Sequence, residues 1–333
     1  MLTGGIVGAL ICWMYGLHNW SYALLLIAGI SIAGAYNTFR YGLQNSVRKR
    51  MLSMGLETGD RVLQQTLAIL LLWFVFGDPL VVLTGYLLSS LIFLLVNRHF
   101  YQQSFPETAR FEQHTETENY QKRILQYSWP FILFGVFTWF QNASDRWVLE
   151  LLKSTELVGQ YAVLNQIGFQ SLGLLFGSIS YFLFPILYSK AGSIQNKKQF
   201  DDANQINNWY LWFNIALTFS LFSVFYVFGE GVIRLLSDEK YVKLAGYLPW
   251  MVVAGGLFNF GQNYSYRFMI GMQTSFLLYP KVLTAIVGII LNFIFVGYYG
   301  LPGLVISICL TQVMYVAIMI ISWEFKAKHQ IVK

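Results

Sequence analysis

The sequence predicts an all-α integral membrane protein of about ten transmembrane helices in two bundles, and three observations carry that reading. Of its 333 residues, 56% are hydrophobic and only 11% charged, with a mean hydropathy of +0.51, whereas a soluble chain carries roughly 25% charge. The apolar residues fall in runs near the ~20 residues that cross a ~30 Å hydrocarbon slab. Most Lys and Arg residues fall on alternate connections between those runs.

The runs are read at 2–17, 21–38, 62–77, 80–96, 129–150, 158–187, 208–228, 247–266, 279–297 and 301–323. They are continuously apolar, as in LAILLLWFVF from Leu67 and AIVGIILNFIFVGYY from Ala285. A membrane β-barrel alternates with period two, so these runs are helices that satisfy their own backbones. All seven prolines, Pro79, Pro106, Pro130, Pro185, Pro249, Pro280 and Pro302, fall at or near a run end or in a connection, where the missing N–H costs little. One strongly polar stretch, 97–128, divides the chain. The expected organisation is a four-span partial bundle at 1–96, a cytoplasmic linker at 97–128 and a six-helix bundle at 129–325. Gly173 and Gly177 form a Gly-x-x-x-Gly pair on the sixth run, a pattern that permits close helix approach.

Seventeen of the 22 basic residues lie on one side, nine of them in the 39–61 and 97–128 connections; Lys281 is counted there too, and only four lie opposite. Positive loops resist translocation, so that side and both termini are expected in the cytoplasm. The net charge of +6 is spread between apolar runs and not gathered on a solvated module, which argues against nucleic acid. The longest outer connection, 229–246, is short for an integral-membrane glycosyl enzyme, and no soluble catalytic signature is present. Cys12 and Cys309 lie inside apolar runs without a Cys-x-x-Cys partner, and neither a metal nor a cofactor is expected.

Function in such a bundle rests on intramembrane polar groups, because a central charge costs about 2.5–3.5 kcal/mol on insertion scales. The fifth run ends WFQNASDRWVLE, gathering Gln141, Asn142, Asp145, Arg146 and Glu150. Asn142, Asp145 and Arg146 share a face at i, i+3 and i+4, and Arg146 reaches toward Glu150 at i+4. Two readings stand. In one, Arg146 pairs with Glu150 and snorkels to the interface as an anchor. In the other, the group faces an aqueous cavity and binds an anionic or sugar ligand or a coupling cation. The sixth run adds Asn165 and Gln166, in a stripe with Gln160 and Gln170, and the ninth adds Asn292. Such amides suit sugar hydroxyls and also serve as interhelical hydrogen-bonding groups.

The stretch from Tyr127, YSWPFILFGVFTWFQNASDRWVLELLKSTELVGQYAVLNQIG, resembles the segment that opens the C-terminal bundle of bacterial O-antigen and polysaccharide flippases. It has a Ser-x-Pro start, a late Asp-Arg pair and Val-Gly-x-Tyr opening the next helix. ILNFIFVGYYGLPGLVISICLTQ is similar to the same family around Asn292, with a Tyr-Gly-x-x-Gly turn at Gly300 and Gly303. The family shares a superfamily with multidrug and toxin extrusion carriers. The resemblance implies two bundles around a central cavity in the bacterial inner membrane. It implies alternating access that carries an undecaprenyl-pyrophosphate-linked oligosaccharide outward for O-antigen, capsule or exopolysaccharide synthesis, coupled to H+ or Na+. Asn142, Asp145, Arg146, Asn165, Gln166 and Asn292 would line the path, alongside the lipid bilayer and a possible polysaccharide polymerase complex as partners.

Two alternatives accompany this expectation: a multidrug or cation antiporter of the same superfamily, and a non-transporting membrane partner of a polysaccharide synthase. The family has six spans before the linker where this sequence shows four. Since the first run begins at Leu2, an N-terminally shortened flippase is expected.

Overall fold

The computed structural model describes residues 13–14, 16, 18–47, 49–74, 79–104, 117–192 and 197–327. The first expected run, 2–17, therefore lies almost wholly outside the described residues, as do 105–116 of the polar stretch. Every regular element among the described residues is helical. Two compact units divide between His114 and Thr115.

In unit 1, α1 (His18–Ser46), α2 (Arg50–Phe74) and α3 (Pro79–Ser104) pack on one another. Gly85 brings α3 onto the backbone of Ala68, where an added Cβ would stand 3.0 Å from its nitrogen. The connection read from sequence at 39–61 is mostly helix: α1 runs on to Ser46 and α2 starts at Arg50. Arg40 and Arg61 therefore belong to helices. Arg40 is 9% exposed and donates to the Leu94 carbonyl at 3.3 Å.

Unit 2 begins with α4 (Thr117–Leu152) and α5 (Thr155–Leu164), continues through a π-helical segment (Asn165–Gln170) into α6 (Ser171–Ala191), and then α7 (Lys197–Leu236). A 3-10 stretch (Glu239–Tyr247) leads into α8 (Leu248–Tyr264), α9 (Tyr266–Ile270), a 3-10 turn (Thr274–Leu277), α10 (Leu278–Tyr299) and α11 (Leu301–Ser322). The polar stretch 97–128 is helical at both described ends, as the end of α3 and the start of α4. Because these helices extend past the apolar runs, Pro130 and Pro185 lie inside α4 and α6. Likewise α7 absorbs Glu230, and the connection read at 229–246 shrinks to residues 237–238 before the next helical stretch.

Seven described stretches are long and apolar enough to cross a bilayer: Asn19–Ser46, Leu80–Gln103, Thr155–Ala191, Lys198–Leu236, Glu239–Ile270, Thr274–Tyr299 and Leu301–Phe325. The protein is thus a multi-pass, all-α membrane protein. α2 and α4 match two more of the expected runs but carry charge: Glu57, Asp60 and Arg61 in α2, ahead of the run at 62–77, and Asp145, Arg146 and Glu150 in α4, inside the run at 129–150.

Close approach in unit 2 does not use the Gly-x-x-x-Gly pair. A Cβ at Gly173 or Gly177 would meet nothing within 4 Å. The approach is made where the π segment crosses α8: a Cβ on Gly168 would stand 2.6 Å from Met251, and one on Gly255 2.8 Å from the Phe169 carbonyl. At the α10–α11 corner, Gly300 has φ +63, a positive value that favours glycine, and its N–H donates to the Val296 carbonyl at 2.9 Å. The main apolar core gathers Val148, Leu149, Tyr161, Leu164, Leu248, Met251 and Leu304. It ties α4 and α5 to α8 and α11, immediately beside the polar residues of α4.

Candidate functional site

On α4 the inward stripe is Gln141, Ser144, Asp145, Val148 and Leu149, all buried. That is the i, i+3, i+4, i+7, i+8 spacing of a buried helix face. Of the expected trio only Asp145 belongs to it; Asn142 and Arg146 are exposed. Adjacent residues on a helix point about 100° apart, so Asp145 and Arg146 serve different surfaces. Arg146 and Glu150 form no ion pair within 4 Å, so the interfacial anchor pair expected from their spacing does not form.

Asp145 is 8% exposed, and each carboxylate oxygen accepts one hydrogen bond. The Tyr161 hydroxyl of α5 donates to Oδ2 at 2.7 Å, and Asn292 Nδ2 of α10 donates to Oδ1 at 2.8 Å. Asn292 Oδ1 in turn accepts from the Ser307 hydroxyl of α11 at 2.6 Å. The chain Tyr161–Asp145–Asn292–Ser307 therefore links four helices. Each link is a side chain buried among apolar neighbours, where an unmade hydrogen bond is expensive.

One turn before Asp145, Gln141 Oε1 accepts from Lys281 Nζ at 2.8 Å. Lys281 is 3% exposed, and its Nζ stands 5.4, 5.6 and 5.8 Å from the ring centres of Phe134, Phe258 and Tyr315. The charge count treated Lys281 as one of the basic residues of the cytoplasmic side, and the structure buries it instead of leaving it in water. The residue lies in the first turn of α10, and its side chain turns into the unit toward the aromatic faces, which attract a cation. Its position three residues into the run at 279–297 was visible in the sequence. Tyr161 and Ser307 carried no comparable signal, since single hydroxyls abound in apolar helices.

A cavity of about 20 Å³ lies against Asp145, bordered also by Asn142, Asn165, Asn292 and Gln312, with space for about one water. Next to it a wider pocket of about 370 Å³ is lined by Trp139, Asn142, Arg146, Trp147, Asn165 and Gln170. Asn165 and Gln170 are five apart, and the i→i+5 ladder of the π segment brings them to one face. Gln166 is exposed and lines neither space. The wider turn that aligns Asn165 with Gln170 breaks the i, i+4 pairing that ordinary helix geometry expects for Gln166 and Gln170.

Five of the six expected residues therefore border one connected polar region. Its charges are Asp145, buried, and Arg146, open to the wider pocket, with Lys281 behind Gln141. The small cavity is thus lined by one anion and the wider pocket by one cation. Lys153, beside it, donates from Nζ to the Gly297 carbonyl at 2.9 Å, a cation at the carboxyl end of α10 where the helix dipole favours one.

A family model described as "Polysaccharide biosynthesis protein" matches residues 4–191, more than half of the chain. No curated protein sequence matches the chain significantly. Among solved structures, an outward-facing multidrug resistance MATE family transporter of the MOP superfamily is similar at 16% identity and a TM-score of 0.70, over 95% of this chain and 70% of that one. A mutant of the Vibrio cholerae MATE transporter VcmN is 16% identical with a TM-score of 0.75, over 100% of this chain and 77% of that one. A MATE protein in its bent conformation gives 15% and 0.58, over 99% and 82%. At these identities the likeness establishes the fold.

Proposed function

The chain belongs to the polysaccharide biosynthesis protein family, and on that premise we propose that it is a transporter, a flippase that carries an undecaprenyl-pyrophosphate-linked oligosaccharide across the bacterial inner membrane. The glycan needs a hydrogen-bonding path through a ~30 Å apolar slab while the polyprenyl tail stays in lipid. Asn142, Asn165 and Gln170 supply amides to sugar hydroxyls, and Arg146 supplies a cation to the pyrophosphate. Asp145 is the coupling site, taking H+ or Na+ in the relay with Tyr161 and Asn292. Alternating access between two bundles, with the termini and the 97–128 stretch in the cytoplasm, completes the cycle. A polysaccharide polymerase complex then takes the delivered lipid.

The observation that carries this reading is Arg146, a cation with no carboxylate within 4 Å among the described residues, on a 370 Å³ pocket beside a buried carboxylate. The charge that lines the wider pocket, Arg146, also separates this reading from a multidrug or cation antiporter. A carrier of cationic drugs needs excess negative charge where its substrate sits, and Arg146 would repel it.

The test is complementation of a flippase-deficient strain, scored by surface glycan and by membrane levels of the protein. Arg146→Ala and Asp145→Asn are expected to insert normally and to abolish display. Full display by both correctly inserted variants would reduce the region to a structural role.

A further inference from the structure

Unit 1 holds an open groove between α1 and α3 whose charges the reading above does not use. Three hydrogen bonds fix the register of this helix pair. Asn37 Nδ2 donates to the Ser90 carbonyl at 3.0 Å, Arg40 Nη1 to the Leu94 carbonyl at 3.3 Å, and Gln44 Nε2 to Asn97 Oδ1 at 3.2 Å. The partners rise together along both helices, so α1 and α3 run parallel. Asn37, Arg40 and Gln44 are all buried, and their i, i+3, i+7 spacing makes them one stripe of α1 turned onto its neighbour. Arg40 lies six residues before the end of α1 at Ser46, and Arg98 six before the end of α3 at Ser104. Both cations therefore stand at the same end of the pair.

Arg40 is 9% exposed. Its Nη2 donates to the Tyr36 hydroxyl at 3.0 Å, and its guanidinium carbon stands 4.3 and 5.3 Å from the ring centres of Tyr36 and Tyr101. Every one of these partners is neutral. Among the described residues no carboxylate lies within 4 Å of Arg40 or Arg98. The hydrogen bonds to Leu94 and Tyr36 occupy two of the five N–H donors that a guanidinium carries. A buried cation left without an anion is costly, so the arrangement favours an anion from outside the chain.

An independent observation shows where that anion would come from. The groove, about 860 Å³, has Ile32, Ala35, Phe39 and Leu94 along its apolar sides, and the charges of its lining are Arg40 and Arg98. It follows α1 from Ser31 to Arg40, about 14 Å at 1.5 Å per residue. A soluble anion has no use for the apolar sides, and an uncharged hydrocarbon has no use for two arginines. A phospholipid meets both features: its phosphate accepts from the guanidinium N–H groups, and an acyl chain lies along the apolar sides. A zwitterionic headgroup brings its own cation against Arg40 and Arg98, whereas an anionic one does not. Basic pockets between transmembrane helices hold anionic headgroups for this reason.

We propose that the groove between α1 and α3 binds an anionic phospholipid of the surrounding membrane, with its phosphate on Arg40 and Arg98 and one acyl chain along Ile32, Ala35 and Phe39. This lipid is a resident of unit 1 and not cargo, and its site is separate from Arg146 and the pocket of unit 2.

The experiment titrates the full chain, purified in detergent and stripped of lipid, with dioleoyl phosphatidylglycerol or dioleoyl phosphatidylcholine. Native mass spectrometry counts the lipids bound per chain. The acyl chains are the same, so the comparison reads headgroup charge. One phosphatidylglycerol is expected to bind saturably and about 30-fold more tightly than phosphatidylcholine, from two basic residues at about fivefold each. Arg98 is exposed, so Arg98→Gln should fold as the parent does and weaken phosphatidylglycerol about fivefold. Ala35→Trp fills the groove with both arginines in place and should weaken both lipids. Equal affinity for the two lipids overturns the proposal, as does phosphatidylglycerol binding unchanged in Arg98→Gln or in Ala35→Trp. Farnesyl pyrophosphate, a short-chain polyprenyl pyrophosphate, should leave the phospholipid bound when added at equal concentration; displacement would make the groove a cargo site and overturn the proposal. Binding should persist in the Arg146→Ala protein, and its loss there would move the lipid to unit 2, with the same consequence. None of these results depends on glycan transport, so the flippase reading stands or falls separately.

Discussion

Replacing Gln141 by Leu should expose how the interior of unit 2 holds its lysine. Lys281 is 3% exposed, donates to Gln141 Oε1 at 2.8 Å, and has no carboxylate within 4 Å among the described residues. Removing the partner of a buried charge costs about 3–5 kcal/mol. The three aromatic faces attract the cation before and after the substitution, so the low end of that range, about 3 kcal/mol, is expected for Gln141→Leu. Lys281→Met keeps the volume of the stem and removes the charge. It leaves one amide oxygen unpaired at about 1–3 kcal/mol, offset by the desolvation no longer incurred, and should stay within about 1 kcal/mol of the parent. The double variant has neither the stranded charge nor the orphaned amide, so it should resemble Lys281→Met. The two effects are then non-additive by the whole Gln141→Leu loss, about 3 kcal/mol, as expected for residues in direct contact. Reversible unfolding by SDS in mixed micelles, followed by tryptophan fluorescence, reads all four proteins. Additive losses, or a Gln141→Leu protein as stable as the parent, would falsify the description of Lys281 as a buried cation dependent on Gln141.

The glycines supply a contrast within one unit. Gly303→Ala would drive a methyl group into the Phe295 carbonyl oxygen and should abolish accumulation of folded protein, whereas Gly173→Ala and Gly177→Ala meet open space and should each stabilise by about 0.5–1 kcal/mol through helix propensity; melting of the purified variants checks both. For topology, single cysteines at Ser104, Ser154 and Ser237 in a variant lacking Cys12 and Cys309 are expected to be shielded, labelled and labelled by an impermeant reagent on intact cells. Labelling of position 104 alone would invert the orientation.

Hydropathy and length were sufficient for the membrane class and for most of the helices, because a bilayer demands long uninterrupted apolar runs whatever packs around them. The same rule misjudged α2 and α4. Both helices continue well past the apolar stretch that length alone can see, and residues 121–126 of α4 do so while exposed, because a helix satisfies its own backbone hydrogen bonds without lipid around it. Asp145 and Asn292 were legible as rare polar groups in apolar surroundings, and their direct contact was not, since it joins residues 147 positions apart. Arg146 and Glu150 had helical spacing in their favour, yet no ion pair formed, because spacing sets which residues are near and not which way exposed side chains settle. Gln166 failed for a local reason: a single π-helical turn shifts the register of the stripe, and nothing in NQIGFQ announces it. Lys281 was counted with the charges of the cytoplasmic side because a charge at the end of an apolar run has a low-energy exit to water. Only the packed structure, with Gln141 facing the lysine, decides that it turns inward instead.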